Sequence, residues 1–142
     1  NQTLGDVYAY GTITVDAGVT LTITGTWTGG GTIINNGNIV LAGSAAQTFP
    51  GSSTTVSAMK NLTINNASGV TLDQSMNVDG TLTLSSGTLT LGNNNLTLGA
   101  LSPAIAGTLS ATNMIVTDGT GQLRKVFTAA HHCLFCIFNH PN

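Results

Sequence analysis

The residues with the widest chemical range stand at the end of the chain. The stretch HHCLFCIFNHPN, residues 131–142, contains His131, His132, Cys133, Cys136 and His140. A Cys-x-x-Cys flanked by histidines offers soft thiolates and imidazoles, the donor set of tetrahedral zinc. The spacing HHCxxCxxxH lacks the second half of a zinc finger, so Cys133, Cys136 and His140 are weak metal candidates. Haem attachment requires His directly after the second Cys, where Ile137 stands. The expectation is an atypical apolar tail over 131–142, with a disulfide and a metal as lesser alternatives, and no cofactor. An apolar cap and a shifted reading frame both fit its composition.

Carboxylates give less. The acids are Asp6, Asp16, Asp73, Asp79 and Asp118, and there is no Glu. Hydrolysis or elimination on a polysaccharide needs clustered carboxylates or a base in a groove. These five are scattered, and every His lies in the tail, so no Ser/His/Asp set can be built. The chain is not expected to be an enzyme. Asp118-Gly119-Thr120-Gly121 lacks the spacing of a calcium loop and is expected to be a turn. Asn-x-Thr/Ser at Asn1, Asn61, Asn66 and Asn95 is what an Asn- and Thr-rich chain produces by chance.

Threonine is the remaining surface chemistry. There are 24, many of them paired: Thr12/Thr14, Thr20/Thr22, Thr22/Thr24, Thr26/Thr28, Thr81/Thr83 and Thr88/Thr90. Flat Thr arrays can meet ice or a sugar, provided that all pairs share one face. Here successive pairs are expected on successive faces, as the polar coat of a rod. Thr81, Thr83, Thr88 and Thr90, with the single Trp27, are the candidate contact residues. Trp27, Tyr8 and Tyr10 are more readily expected as a plug in the first coil than as sugar-stacking rings.

What positions these residues is a run of short strands. Apolar and polar residues alternate in Thr12–Val15, Val19–Ile23, Leu62–Ile64, Val70–Leu72, Thr81–Leu84, Thr88–Leu91 and Leu96–Leu98. Period two means a half-buried strand. The spacers are rich in Gly, Asn and Ser, which accept sharp corners. The fold expected is all-β, a right-handed parallel β-helix (β-solenoid) of about five to seven coils over residues 1–130. An antiparallel β-sandwich is the alternative. Two-residue hairpin signals are few, chiefly Asn36-Gly37 and Asp79-Gly80, and aromatics are only 5%, which favours the solenoid. Residues 41–59 break the pattern and are expected as an irregular loop or coil.

Charged residues make up 6% of the 142, with a net charge of −2. Lys60, Arg124 and Lys125 cannot neutralise a run of phosphates, so no nucleic-acid partner is expected. No apolar run is long enough for a membrane helix, so no membrane insertion is expected.

The run LTINNASGVTLDQSMNVDGTLTLSSGTLTLGNNNLTLG, followed by GTGQLRKVF, resembles repeat regions of large secreted surface proteins of the Bacteroidetes. It is similar in plan to the parallel β-helix passengers of haemagglutinin-like adhesins and autotransporters. The resemblance covers roughly residues 5–128. It implies an extracellular or bacterial cell-surface location; a leader, if there was one, is expected to be already gone. The implied role is a non-enzymatic stalk, adhesin or matrix element. The expected partners are host or surface glycans, or further copies of the chain stacked end to end into a homo-oligomer or filament.

Overall fold

A computed structural model describes residues 1–128, so the candidates Cys133, Cys136 and His140 lie outside the described residues. Within these the chain forms sixteen short strands and no helix. In chain order they are β1 (Gln2–Leu4), β2 (Val7–Tyr8), β3 (Thr12–Val15), β4 (Thr20–Ile23), β5 (Trp27–Thr28) and β6 (Thr32–Leu41). Then come β7 (Gln47–Phe49), β8 (Thr55–Asn65), β9 (Val70–Leu72), β10 (Met76–Val78) and β11 (Leu82–Ser86). The last are β12 (Leu89–Thr90), β13 (Leu96–Leu98), β14 (Ala106–Gly107), β15 (Ile115–Val116) and β16 (Leu123–Lys125).

Every ladder between these strands is parallel, which excludes the antiparallel sandwich. The chain is a β-solenoid of about five turns with three faces. The first face runs β1-β4-β6-β8-β11-β14 without a break. The second carries the β2-β5 pair and the β7-β9-β12-β15 sheet. The third carries β3 with the first halves of β6 and β8, then the β10-β13-β16 sheet. β6 and β8 are long because each turns the corner from the third face onto the first. Asn36-Gly37 falls inside β6, so its turn chemistry bends a strand instead of closing a hairpin.

The alternation in the sequence sets what points inward. On the first face Leu4, Ile23, Leu41, Ile64 and Leu84 stand one above another, and so do Leu21, Ile39, Leu62 and Leu82. Met76 and Leu96 continue the pattern on the third face, and Leu123 above them takes the same position but is exposed at the end of the described stack. Stacked coils lie about 4.8 Å apart, so like residues in one column pack without gaps. The strand threonines take the alternate parity and face out on all three sides, whereas Thr54, at a corner, is buried. Thr20/Thr22 and Thr81/Thr83 lie on the first face, Thr28 and Thr90 on the second, and Thr12/Thr14 on the third.

Turn lengths vary. Thr20 pairs with Asn38, 18 residues on, while Leu96 pairs with Leu123, 27 residues on. Residues 41–59 belong to the third turn, which runs 23 residues from Ile39 to Leu62. They contain β7, whose Phe49 is fully buried, and the first half of β8. The segment's exposed residues are Ser44–Ala46, Ser52 and Ser53, with Thr48, Thr55 and Ser57 on the outer parity of the strands.

Where a corner crosses an earlier coil, side chains are excluded. Gly87 has φ +81°, and a Cβ there would overlap the carbonyl oxygen of Asn66. The inward ladders dominate stability. Ile39→Ala removes a fully buried side chain between Leu21 and Leu62 and is expected to cost about 2–5 kcal/mol. Thr83→Ala, on the outer parity of the same face, should change stability by no more than about 0.5 kcal/mol. Urea denaturation of the two variants checks the contrast.

Candidate functional site

The corners are held by side-chain amides and carboxylates. Asn35 occupies an inward position and is fully buried. Its Nδ2 donates to the Asn61 carbonyl at 2.8 Å, and its Oδ1 accepts from the Gly37 N–H at 3.1 Å. Asn61 repeats the device one coil later: Nδ2 donates to the Gly37 carbonyl at 2.9 Å, and Oδ1 accepts the Thr81 N–H at 2.8 Å. Gln47 and Asn66 form a second buried set. Gln47 Nε2 donates to the carbonyls of Ile23 and Gly25, while its Oε1 accepts from Gly43 N–H and Asn66 Nδ2. An unpaired amide in this core would cost about 1–3 kcal/mol, and the matched one does not.

Exposed corners use the same latch. Asp6 Oδ1 accepts both the N–H and the hydroxyl of Thr26, and Asp118 Oδ1 accepts the Gly92 N–H. Asn93 Oδ1 takes the N–H of Thr120, so Asp118–Gly121 is a turn latched onto the coil below. The Thr26 N–H, helped by its hydroxyl, holds the Asp6 carboxyl below its ordinary range.

The candidate contact residues do not form one surface. Thr81 and Thr83 lie on the first face, Thr88 and Thr90 beside β12 on the second, all half-buried. Thr90 continues a column of Thr48 and Thr71. Trp27 is buried at 6% exposure, so it is not a surface contact. Its ring meets Phe49 edge-on at 5.6 Å, and Nε1 donates to Thr54 Oγ1 at 3.1 Å. Tyr8 and Tyr10 are exposed at 66% and 80%, so they plug nothing. Tyr8 follows the buried Val7 and takes the outer parity opposite Thr28. The single Trp lies where the second-face ladder is interrupted between β5 and β7.

Comparison with protein-family models, with curated proteins and with solved structures finds no match. Among the described residues no three of His, Cys, Asp and Glu come together as a metal cluster.

Two ladder interruptions break the regular surface. The first, between β5 and β7, opens a cavity of about 340 Å³ beside Trp27, Gly30, Ser52 and Asp73. The second, between β8 and β10 on the third face, opens one of similar volume lined by Ser57, Asn77, Asp79, Asn95, Thr97 and Arg124, among others. Its cause is local. The pairing shifts by one residue, from Ile33–Val56 to Ile34–Ala58, so Ser57 is an extra residue in β8. Such a bulge bends the strand and disrupts the ladder locally, and β10 does not pair with β8 beyond it. The signal was present in the sequence as the loss of strict alternation in TTVSAMK, residues 54–60.

Two outcomes test the latches. Asn35→Ala strands the Gly37 N–H and the Asn61 carbonyl, so it should cost about 1–3 kcal/mol, against little for the exposed Asn36→Ala. Chemical denaturation checks it. Because the folded Asp6 carboxyl titrates lower than in the unfolded chain, its latch is fully present above the ordinary carboxylate range. It is lost as the pH falls through the lowered value. Amide exchange at Thr26 should quicken over that acid window in the native chain and show no such pH step in Asp6→Asn.

Proposed function

We propose that this chain is a non-enzymatic structural or adhesive β-solenoid, acting outside the cell as a stalk or surface-display module. The observation that supports it most is the dispersal of ionisable groups over a coil stack coated with hydroxyls and amides. Asp6 and Asp16 lie in corners of the first coil. Asp73 and Asp79 flank β10 at opposite ends, and Asp118 lies beyond β15. Glycosidic cleavage with paired carboxylates needs them about 5–10 Å apart across a bond, and this arrangement spreads them around corners instead. A stack with a continuous first face suits reach and display, since each coil is latched to the one before.

Beads coated with the purified chain should be retained under flow on glycan-bearing surfaces, and should release no reducing ends from polysaccharides. Reducing-end release by the native chain would replace this proposal with a hydrolase.

A second reading, self-assembly, is favoured by apolar exposure on the last described coil. Leu101, Leu109 and Phe127 are exposed at 84%, 58% and 75%. Exposed apolar surface and open strand edges both invite a further copy, and a net charge of −2 would oppose it little. Negative-stain electron microscopy across a concentration series separates the two. Uniform filaments support assembly as the function, and single short rods at all concentrations support the stalk or adhesin.

A further inference from the structure

We propose that the third-face cleft between β8 and β10 is a binding site for a neutral saccharide. The inference rests on the adhesive reading and gives that reading a place and a ligand class.

The cleft exists because coil repetition fails there. The Ser57 bulge shifts the β6–β8 register, which resumes at Ala58 and Met59, and β10 starts a new sheet instead of pairing with β8. Two backbone bonds, Asp79 N–H to the Met59 carbonyl at 2.9 Å and Gly80 N–H to the Lys60 carbonyl at 2.7 Å, close the far end. The volume of about 340 Å³ falls in the range of small-ligand sites.

Register then arranges the lining. Asn77, Thr97 and Arg124 are successive Cα partners, so they form one outward row across three coils. Ser75 and Asn95 stand beside it, fixed because Ser75 Oγ accepts the Asn95 N–H at 2.9 Å and Asn95 Oδ1 accepts the Gln122 N–H at 3.1 Å. Rows on one strand lie about 7 Å apart and coils about 4.8 Å apart, so donors and acceptors form a grid. Arg124 is oriented within it by its Nε donating to Gln122 Oε1 at 3.1 Å.

That grid is suited to a ring with several hydroxyls. Each sugar hydroxyl both donates and accepts. Asp79 supplies acceptors only, Arg124 donors only, and the Asn and Ser groups supply both. Half-buried Val56 and Ala58 add a small apolar wall for the C–H face of a ring. One carboxylate and one guanidinium leave the cleft without net charge. An uncharged ligand leaves no charge unmatched, whereas an anionic one would meet Asp79 unfavourably.

The test uses isothermal titration and ligand-observed NMR with lactose, cellobiose, chitobiose and a galacturonate disaccharide. A neutral disaccharide should bind with little dependence on ionic strength, because no net charge is being screened. Asn77→Ala, Asp79→Ala and Arg124→Gln lie on exposed positions and should keep the native thermal transition. Asp79→Ala and Arg124→Gln should each weaken binding by about tenfold or more, since contacts to charged groups are the stronger ones. Thr22→Ala on the first face should bind as the native chain does.

Three results would overturn the site: no neutral disaccharide bound by the native chain, tighter binding of the galacturonate, or binding unchanged in all three cleft variants. Bead retention tells the two proposals apart. Retention unchanged in the cleft variants overturns the cleft and leaves adhesion standing. Absence of retention for the native chain on every glycan surface overturns adhesion itself.

Discussion

The structure depends on one constraint: each inward side chain must stand on a similar one in the coil below. Ile23, Leu41, Ile64 and Leu84 meet it in one column, Leu21, Ile39, Leu62 and Leu82 in another. A column of this kind fixes register, because a slip of one residue would turn the aliphatics out and the threonines in. It also explains why the first face alone is unbroken, since one of its columns holds large aliphatics through five coils and the other through four. On the other two faces the columns change character. Trp27 stands on Val7, and Met59 on Asn35, and each ladder is interrupted just beyond these residues.

Corners present the opposite problem. The backbone must leave one ladder and join the next, and the amides passing through the bend need partners. Here a side-chain oxygen from one coil accepts the N–H of a later one: Asn1 for Thr20, Asp6 for Thr26, Asn61 for Thr81, Asn95 for Gln122. This gives Asn and Asp a structural use that does not depend on their charge or on any ligand. At the far end the Lys125 ammonium donates to the carbonyls of Gly99 and Ser102, tying down the loop that precedes β14. A chain with few ionisable groups thus commits several of them to its own backbone.

This division decides what was legible in the sequence. Alternation in TLTLSSGTLTLG displayed the strands, their inward residues and the threonine coat, because period two has one structural meaning. The parallel stacking followed from scarce hairpin signals and aliphatic cores. Asn35, Gln47 and Asn66 were not legible as interior residues, since an amide earns its place only through partners some twenty residues away. The aromatics were misplaced for a similar reason. Tyr8 and Tyr10 share a parity, but whether that parity faces in or out is fixed by Val7 and Ala9 packing inward. The irregular segment 41–59 was visible as a break, with loop and coil both open, because nothing along the chain shows that Phe49 reaches Trp27.

A regular solenoid offers a ligand the same row many times over, so regularity argues against a specific site on the threonine columns. Specificity requires a place where the repeat is broken and unlike side chains converge. The third turn provides it: Ser57 is the residue too many, and β10 cannot continue the ladder that β8 leaves. Coil stacking then brings Asn77, Thr97 and Arg124 into one row although they are some twenty to twenty-seven residues apart in sequence. None of these residues forms a motif along the chain. They become neighbours only through the inward ladders, so the same aliphatic columns that hold the rod together also assemble a mixed polar surface that differs from its coat.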